Sequence, residues 1–149
     1  MNKKGFTTIE TSFGILLFLV VILAVANVVA IFYERNVISI KTEALAANSS
    51  INGGVLQSDM NNFLYELGEK GYDTSQIIIT ARRIVNGSES GSNVFLQSMN
   101  STNYVKVTDE NPQIHLRIII PYKENTIFYK LFDNLDVMVF ERRFVSRRV

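Results

Sequence analysis

Hydrophobic residues follow three different patterns along this chain. The first is continuous: between Thr11 and Tyr33, in TSFGILLFLVVILAVANVVAIFY, no charged residue occurs. At about 1.5 Å rise per residue this run makes a helix of roughly 35 Å, enough to cross a hydrocarbon core of about 30 Å. A core helix of a soluble domain would show a polar stripe over such a length. The pattern therefore predicts a membrane-spanning helix.

The second pattern has helical spacing. Val37, Ile40, Ala44 and Ala47 recur at i, i+3, i+7 and i+10 and make one apolar stripe, with Arg35, Ser39, Thr42 and Glu43 off it. Neither Pro nor Gly interrupts positions 15 to 52. One helix from about Thr7 to Ala47 is expected, lipid-like first and amphipathic later, with Asn48-Ser49-Ser50 and Asn52-Gly53-Gly54 as stop and turn. Met60, Phe63, Leu64 and Leu67 predict a second, short helix over about Ser58–Lys70. Ser58 or Asp59 is its expected cap and Gly71 its end.

The third pattern is alternation. Ile77–Val85 is β-branched and reads as a strand, followed by a flexible loop over Asn86–Asn93. A strand is expected around Tyr104–Thr108. In QIHLRIIIPY, Ile114, Leu116, Ile118 and Ile120 share one face. In Asp136–Val145, Met138, Phe140 and Phe144 share one face and Val137, Val139 and Val145 the other. Helices followed by a run of strands predict an α+β unit with an antiparallel sheet. Its core candidates are Phe63, Leu64, Leu67, Ile114, Leu116, Ile118, Ile120, Met138 and Phe140.

Composition narrows the chemistry. Fifteen Lys and Arg stand against 14 Asp and Glu in 149 residues, which leaves no field suited to nucleic acid. Without cysteine there is no disulfide, thiolate metal site or cysteine nucleophile. His115 is the only histidine and alternates outward with Arg117, so it reads as a surface or half-buried strand residue rather than a base or zinc ligand. The glycines form no phosphate loop. Asp133, Asp136 and Glu141 could face a calcium ion, but Asp133 and Asp136 read better as turn and strand-start residues. Arg142, Arg143, Arg147 and Arg148 make a basic edge, either solvated and discouraging edge pairing or a docking patch. Neither enzymatic activity nor a cofactor or metal is expected.

The N-terminus carries the most specific signal. Lys3 and Lys4 precede the span, whereas Glu34 and Arg35 cancel beyond it, an asymmetry that keeps the N-terminus in the cytoplasm and sends the C-terminal domain outside. One carboxylate, Glu10, stands at the mouth of the span, where an ionised group is costly unless paired or near the interface. Three readings remain open. Ala24-Val25-Ala26 fits a signal-peptidase site, and cleavage there would release a domain beginning at Asn27. An uncleaved single-pass anchor with an external binding or regulatory domain is the second. Neither gives Glu10 a task.

The third reading does. The stretch KKGFTTIE closely resembles the processing site of type IV prepilins and pseudopilins, which have a basic leader, Gly, an aromatic residue, and Glu at the fifth mature position. The resemblance implies cleavage between Gly5 and Phe6 by a membrane-embedded prepilin peptidase, with methylation of the Phe6 amine. It implies that Glu10 pairs with that amine on a neighbouring subunit, a registry use of a buried ion pair. It also implies partners: other pilin or pseudopilin subunits, a membrane assembly platform and the bilayer. The expected organisation is a leader over 1–5, a membrane and stalk helix over 6–48 and an external α+β domain over 49–149. The span has no proline and the chain no disulfide, unlike many major pilins. IHLRIIIPY and LDVMVFERRF look most like minor pilins of the tight-adherence type. The function implied is that of a minor pilin or pseudopilin.

Overall fold

The computed structural model describes residues 3–123 and 137–149, with side chains from residue 10 onward, and it is an α+β protein. Helix α1 runs unbroken over Lys3–Asn52. Contacts divide the chain after Val37, and Ile38–Val149 forms a packed unit of its own. In this unit follow β1 (Val55–Leu56), α2 (Gln57–Glu69), a 3-10 turn (Thr74–Gln76), β2 (Ile78–Val85), β3 (Ser88–Ser90), β4 (Phe95–Leu96), β5 (Gln113–Pro121) and β6 (Val137–Val145). The antiparallel sheet has the order β3-β2-β5-β6, and β1 pairs with β4 in a separate parallel pair.

The two strongest alternations fold as expected. Ile114, Leu116, Ile118 and Ile120 are fully buried, and Met138 and Phe140 join them from β6. Val137, Val139 and Val145 stay on the exposed face. Phe63 and Leu67 are buried beneath α2, whereas Leu64 is only half-buried. Leu45, Ala46, Val55, Leu96 and Val105 complete one continuous core.

The C-terminal part of α1 packs differently from expectation. Its buried positions are Ile38, Thr42, Leu45, Ala46, Ser49 and Ser50, not the stripe Val37–Ile40–Ala44–Ala47. Small hydroxylated residues can occupy that face because their polar atoms are satisfied locally. Thr42 Oγ1 donates to Ile38 O at 2.9 Å and Ser49 Oγ to Leu45 O at 2.7 Å. The same bonding carries the helix through Asn48-Ser49-Ser50, five residues beyond the expected end at Ala47. The stop comes at Gly53, whose φ of +73° favours glycine and whose Cβ, were one present, would lie 2.5 Å from Val105 O.

Helix α2 begins from Leu56, and among the described residues no side chain caps it, so the expected role of Ser58 or Asp59 is not found. Its other end fits expectation. Gly71 N–H donates to Gly68 O and Tyr72 N–H to Leu67 O, the paired bonds of a Schellman stop.

Two irregular stretches also depart from the sequence reading. The expected loop over 86–93 begins as a two-residue hairpin: Asn86 (φ 52°) and Gly87 (φ 81°) turn the chain so that Val85 faces Ser88. Such a turn matches the twist of the flanking strands. Beyond it, Asn93 Oδ1 accepts from Ala81 N–H at 3.1 Å and Val94 N–H donates to Ala81 O at 2.7 Å, satisfying the side of β2 that β3 leaves open. The expected strand at Tyr104–Thr108 does not form. Val105 N–H goes to Gly53 O and Val107 N–H to Arg148 O, so this segment bonds two separate elements instead of one ladder.

Candidate functional site

Gly5, Phe6 and Glu10 all lie in the first turns of α1. At 3.6 residues per turn, Phe6 and Glu10 stand on one face of it. Glu10 is exposed. The helix from Glu10 onward contains an 18-residue window of mean hydropathy 3.2, none of it buried within the protein. Eleven large apolar residues from Phe13 to Val25 are exposed. At roughly 1.5–3 kcal/mol for a fully buried side chain, about half that here, removing them from water is worth on the order of 10 kcal/mol. This helix is long and apolar enough to cross a membrane. Its one internal amide adapts to such a setting: Asn27 Nδ2 donates to Leu23 O at 2.8 Å, keeping the polar group within its own helix.

In the packed unit, α1 has two unlike faces. The Ile38–Thr42–Leu45–Ser49 side is buried in the core. About half a turn away, Ile40 and Ile51 are 59% and 63% exposed, and Ala44 and Ala47 between them are exposed too. The spacing of these four positions, 4-3-4, is that of a helix-packing seam. Of the stripe expected from the sequence, Ile40, Ala44 and Ala47 are thus exposed rather than packed, Val37 is half-buried, and Ile51 extends the exposed face.

The four C-terminal arginines do not form one basic edge. Arg142 Nη2 donates to Ser39 Oγ at 2.7 Å and Nη1 to Glu141 O at 2.9 Å. Arg148 Nη1 donates to Asn52 O at 3.0 Å, Nη2 to Met99 O, and the guanidinium lies 3.7 Å over the Tyr104 ring. Only Arg143 and Arg147 remain exposed. Around Arg148, Arg147 N–H donates to Ser50 O, Ser50 Oγ to Val145 O and the buried Ser146 Oγ to Val105 O. These residues clasp the end of α1, a role the sequence reading missed. Ser50 and Val145 are 95 positions apart, and no local pattern signals such a partnership.

His115 is more buried than expected for an outward strand residue, its side chain only 9% exposed. Its Nδ1 lies 2.7 Å from Glu89 Oε1 and its Nε2 3.9 Å from Glu141 Oε2. The two carboxylates flank opposite sides of the ring, so they cannot hold one metal ion with it. Among the described residues no group of three or more His, Asp or Glu is placed to bind a metal. Of the candidate calcium ligands, Asp133 and Asp136 lie outside the described residues, and Glu141 pairs with Arg117 Nε at 3.4 Å. The Asp73 carboxyl is held below its ordinary range by the Ser75 hydroxyl and backbone N–H, helped by Gln76, where it caps the 3-10 turn.

No protein-family model, curated protein or solved structure matches this chain. The class that fold and N-terminus define is an α+β protein with one long apolar N-terminal helix.

Proposed function

We propose that this chain is a minor pilin or pseudopilin, a structural and assembly subunit of a type IV pilus-like filament. The observation that supports this reading is the uncovered apolar face Ile40–Ala44–Ala47–Ile51. An anchor with a domain attached needs only one apolar face on α1 beyond the membrane, the one that packs into the domain core. A second apolar face suits a helix covered again by a neighbour.

On this reading the N-terminus stays in the cytoplasm, α1 crosses the membrane and the sheet domain lies outside. Prepilin peptidase cuts between Gly5 and Phe6 and methylates the new amine. Glu10 then meets the Phe6 amine of a neighbouring subunit, and two groups that are each costly in an apolar setting compensate each other in one register. The other partners are further pilin subunits and the membrane assembly platform.

Sequencing the N-terminus of the membrane-extracted protein tests this. Phe6 as first residue supports the filament reading, Met1 selects a plain anchor, and Asn27 selects a released domain. The companion experiment is Glu10→Ala. Insertion and cleavage are expected to persist while mature subunits fail to appear in sheared filaments. A Glu10→Ala chain that assembles like wild type refutes the role given to Glu10.

A further inference from the structure

Two Asn-Gly dipeptides occur in the sequence, Asn52-Gly53 and Asn86-Gly87, each preceded by a β-branched residue, Ile51 or Val85. Their local chemistry is nearly the same, yet the fold treats them in opposite ways. At the end of α1 the peptide between Asn52 and Gly53 is held from several sides. Arg148 Nη1 donates to Asn52 O at 3.0 Å, Val105 N–H to Gly53 O at 2.8 Å and Gly54 N–H to Ser49 O at 3.0 Å. At the tip of the β2–β3 hairpin, Asn86, Gly87 and Ser88 are exposed, and a Cβ added to Gly87 would meet nothing within 4 Å. The central peptide of a two-residue hairpin lies outside the ladder, whose last pair here is Val85 and Ser88.

We propose that Asn86-Gly87 is a self-modifying site, at which the chain converts Asn86 to isoaspartate and so uncouples β3 from β2. The backbone nitrogen of Gly87 attacks Cγ of Asn86. A new N–Cγ bond forms, the Cγ–Nδ2 bond breaks, and ammonia leaves with the proton of the Gly87 amide. Water then opens the five-membered imide at either carbonyl carbon, giving aspartate or isoaspartate. Attack requires the Gly87 nitrogen to swing towards the Asn86 side chain, and this turn permits it. The positive φ of both residues, 52° and 81°, makes the turn type I′. Flipping the central peptide alone converts it to type II′, carrying ψ of Asn86 from about +30° to about −120° while its φ stays positive. The Val85–Ser88 pair survives that flip, and Gly87 follows because glycine accepts either sign of φ. The same swing at Asn52 would pull its carbonyl away from Arg148. Isoaspartate carries the main chain through Cγ, one methylene longer, so the two-residue turn no longer matches the twist of its strands. Strand β3 has little else to hold it. It is three residues long, exposed and, among the described residues, paired only with β2. With it go the contacts of Glu89 to Arg82 at 3.7 Å and to His115 Nδ1 at 2.7 Å.

The test ages the full-length chain in detergent micelles, in mildly alkaline buffer at physiological temperature. Acid digestion and mass spectrometry then follow the exchange of ammonia for water in the peptides holding Asn52 and Asn86, and isoaspartyl methyltransferase labelling counts the isoaspartate. Conversion at Asn86 is expected to outrun that at Asn52 about tenfold or more, the factor that breaking one hydrogen bond to a charged group imposes. In urea the two rates are expected to converge, because only the fold separates them. Hydrogen exchange over Ser88–Ser90 is expected to lose its protection in the aged chain. Asn86→Gln, whose longer side chain would have to close a six-membered ring, is expected to keep both its mass and that protection. The urea comparison stands even where this variant disturbs the turn. The proposal is overturned by an Asn86 that survives as long as Asn52 in the folded chain, by a preference that persists in urea, or by an aged chain whose β3 is as protected as when fresh.

Discussion

Removing the Arg148 guanidinium should loosen the whole packed unit, although the residue is next to last in the chain. Arg148→Ala deletes three interactions at once: the bonds to Asn52 O and Met99 O and the stacking on Tyr104. The carbonyl of Asn52 is among the last of α1, where no intrahelical donor remains, so it has the most to lose. Two hydrogen bonds at about 0.5–1.5 kcal/mol each, and a cation–π contact at about 0.5–1 kcal/mol, give a loss of about 2–3 kcal/mol. That is a large share of the roughly 5–15 kcal/mol that holds a typical domain together. The assay is urea unfolding followed by circular dichroism, on a chain starting at Glu34 that retains the packed unit Ile38–Val149. Arg147→Ala is the control. It removes the same charge one residue earlier, but the contact of Arg147 with Ser50 is made by its backbone N–H, so less than about 0.5 kcal/mol is expected. Arg148→Lys, which keeps charge without the planar fork, should fall between. Equal midpoints for the two alanine variants refute the clasp.

Ile118→Asp places an unpaired carboxylate at a fully buried position and should cost more than about 4 kcal/mol, leaving no cooperative unfolding transition. Gly53→Ala should cost about 2–4 kcal/mol in the same urea assay, combining a positive φ with a Cβ 2.5 Å from Val105 O; a loss below 1 kcal/mol rejects the close approach. Arg142→Val removes the guanidinium from Glu141 O and Ser39 Oγ on the outermost described strand. Concentration-dependent association by gel filtration is expected, and a strictly monomeric variant argues against Arg142 as an edge guard.

Legibility in this chain followed whether a residue's fate was decided locally. The strands β5 and β6 were readable because alternation is itself the consequence of one buried face, and every Ile and Leu in Gln113–Pro121 obeys it except Ile119, on the outer side. The uncharged run was readable for the same reason, since length and composition alone qualify a helix for lipid. The Asn86-Gly87 hairpin was signalled too, by the dipeptide that favours its turn, but the serines and glycines around it outweighed that signal. Tyr104–Thr108 illustrates the opposite case, an alternating segment whose backbone partners come from residue 53 and residue 148 and so leave no strand to form.

The face of α1 is where local reading failed in an informative way. Ranking by hydrophobicity selects Ile40 and Ala44 over Thr42 and Ser49, yet the structure buries the second pair. Thr42 and Ser49 can sit in the core because each returns its hydroxyl to the carbonyl four residues earlier, so no polar group is left unsatisfied. Their small volume suits a close approach of the helix to its neighbours, where Ile40 or Ile51 would not fit without displacing them. What hydrophobicity ranked first is the face turned away from the domain. A soluble domain gains nothing by exposing two isoleucines half a turn from its core. The sequence pattern was therefore not wrong about where an apolar surface lies on α1. It located an exposed apolar surface, while the domain core took the face where Thr42, Ala46, Ser49 and Ser50 stand beside Ile38 and Leu45.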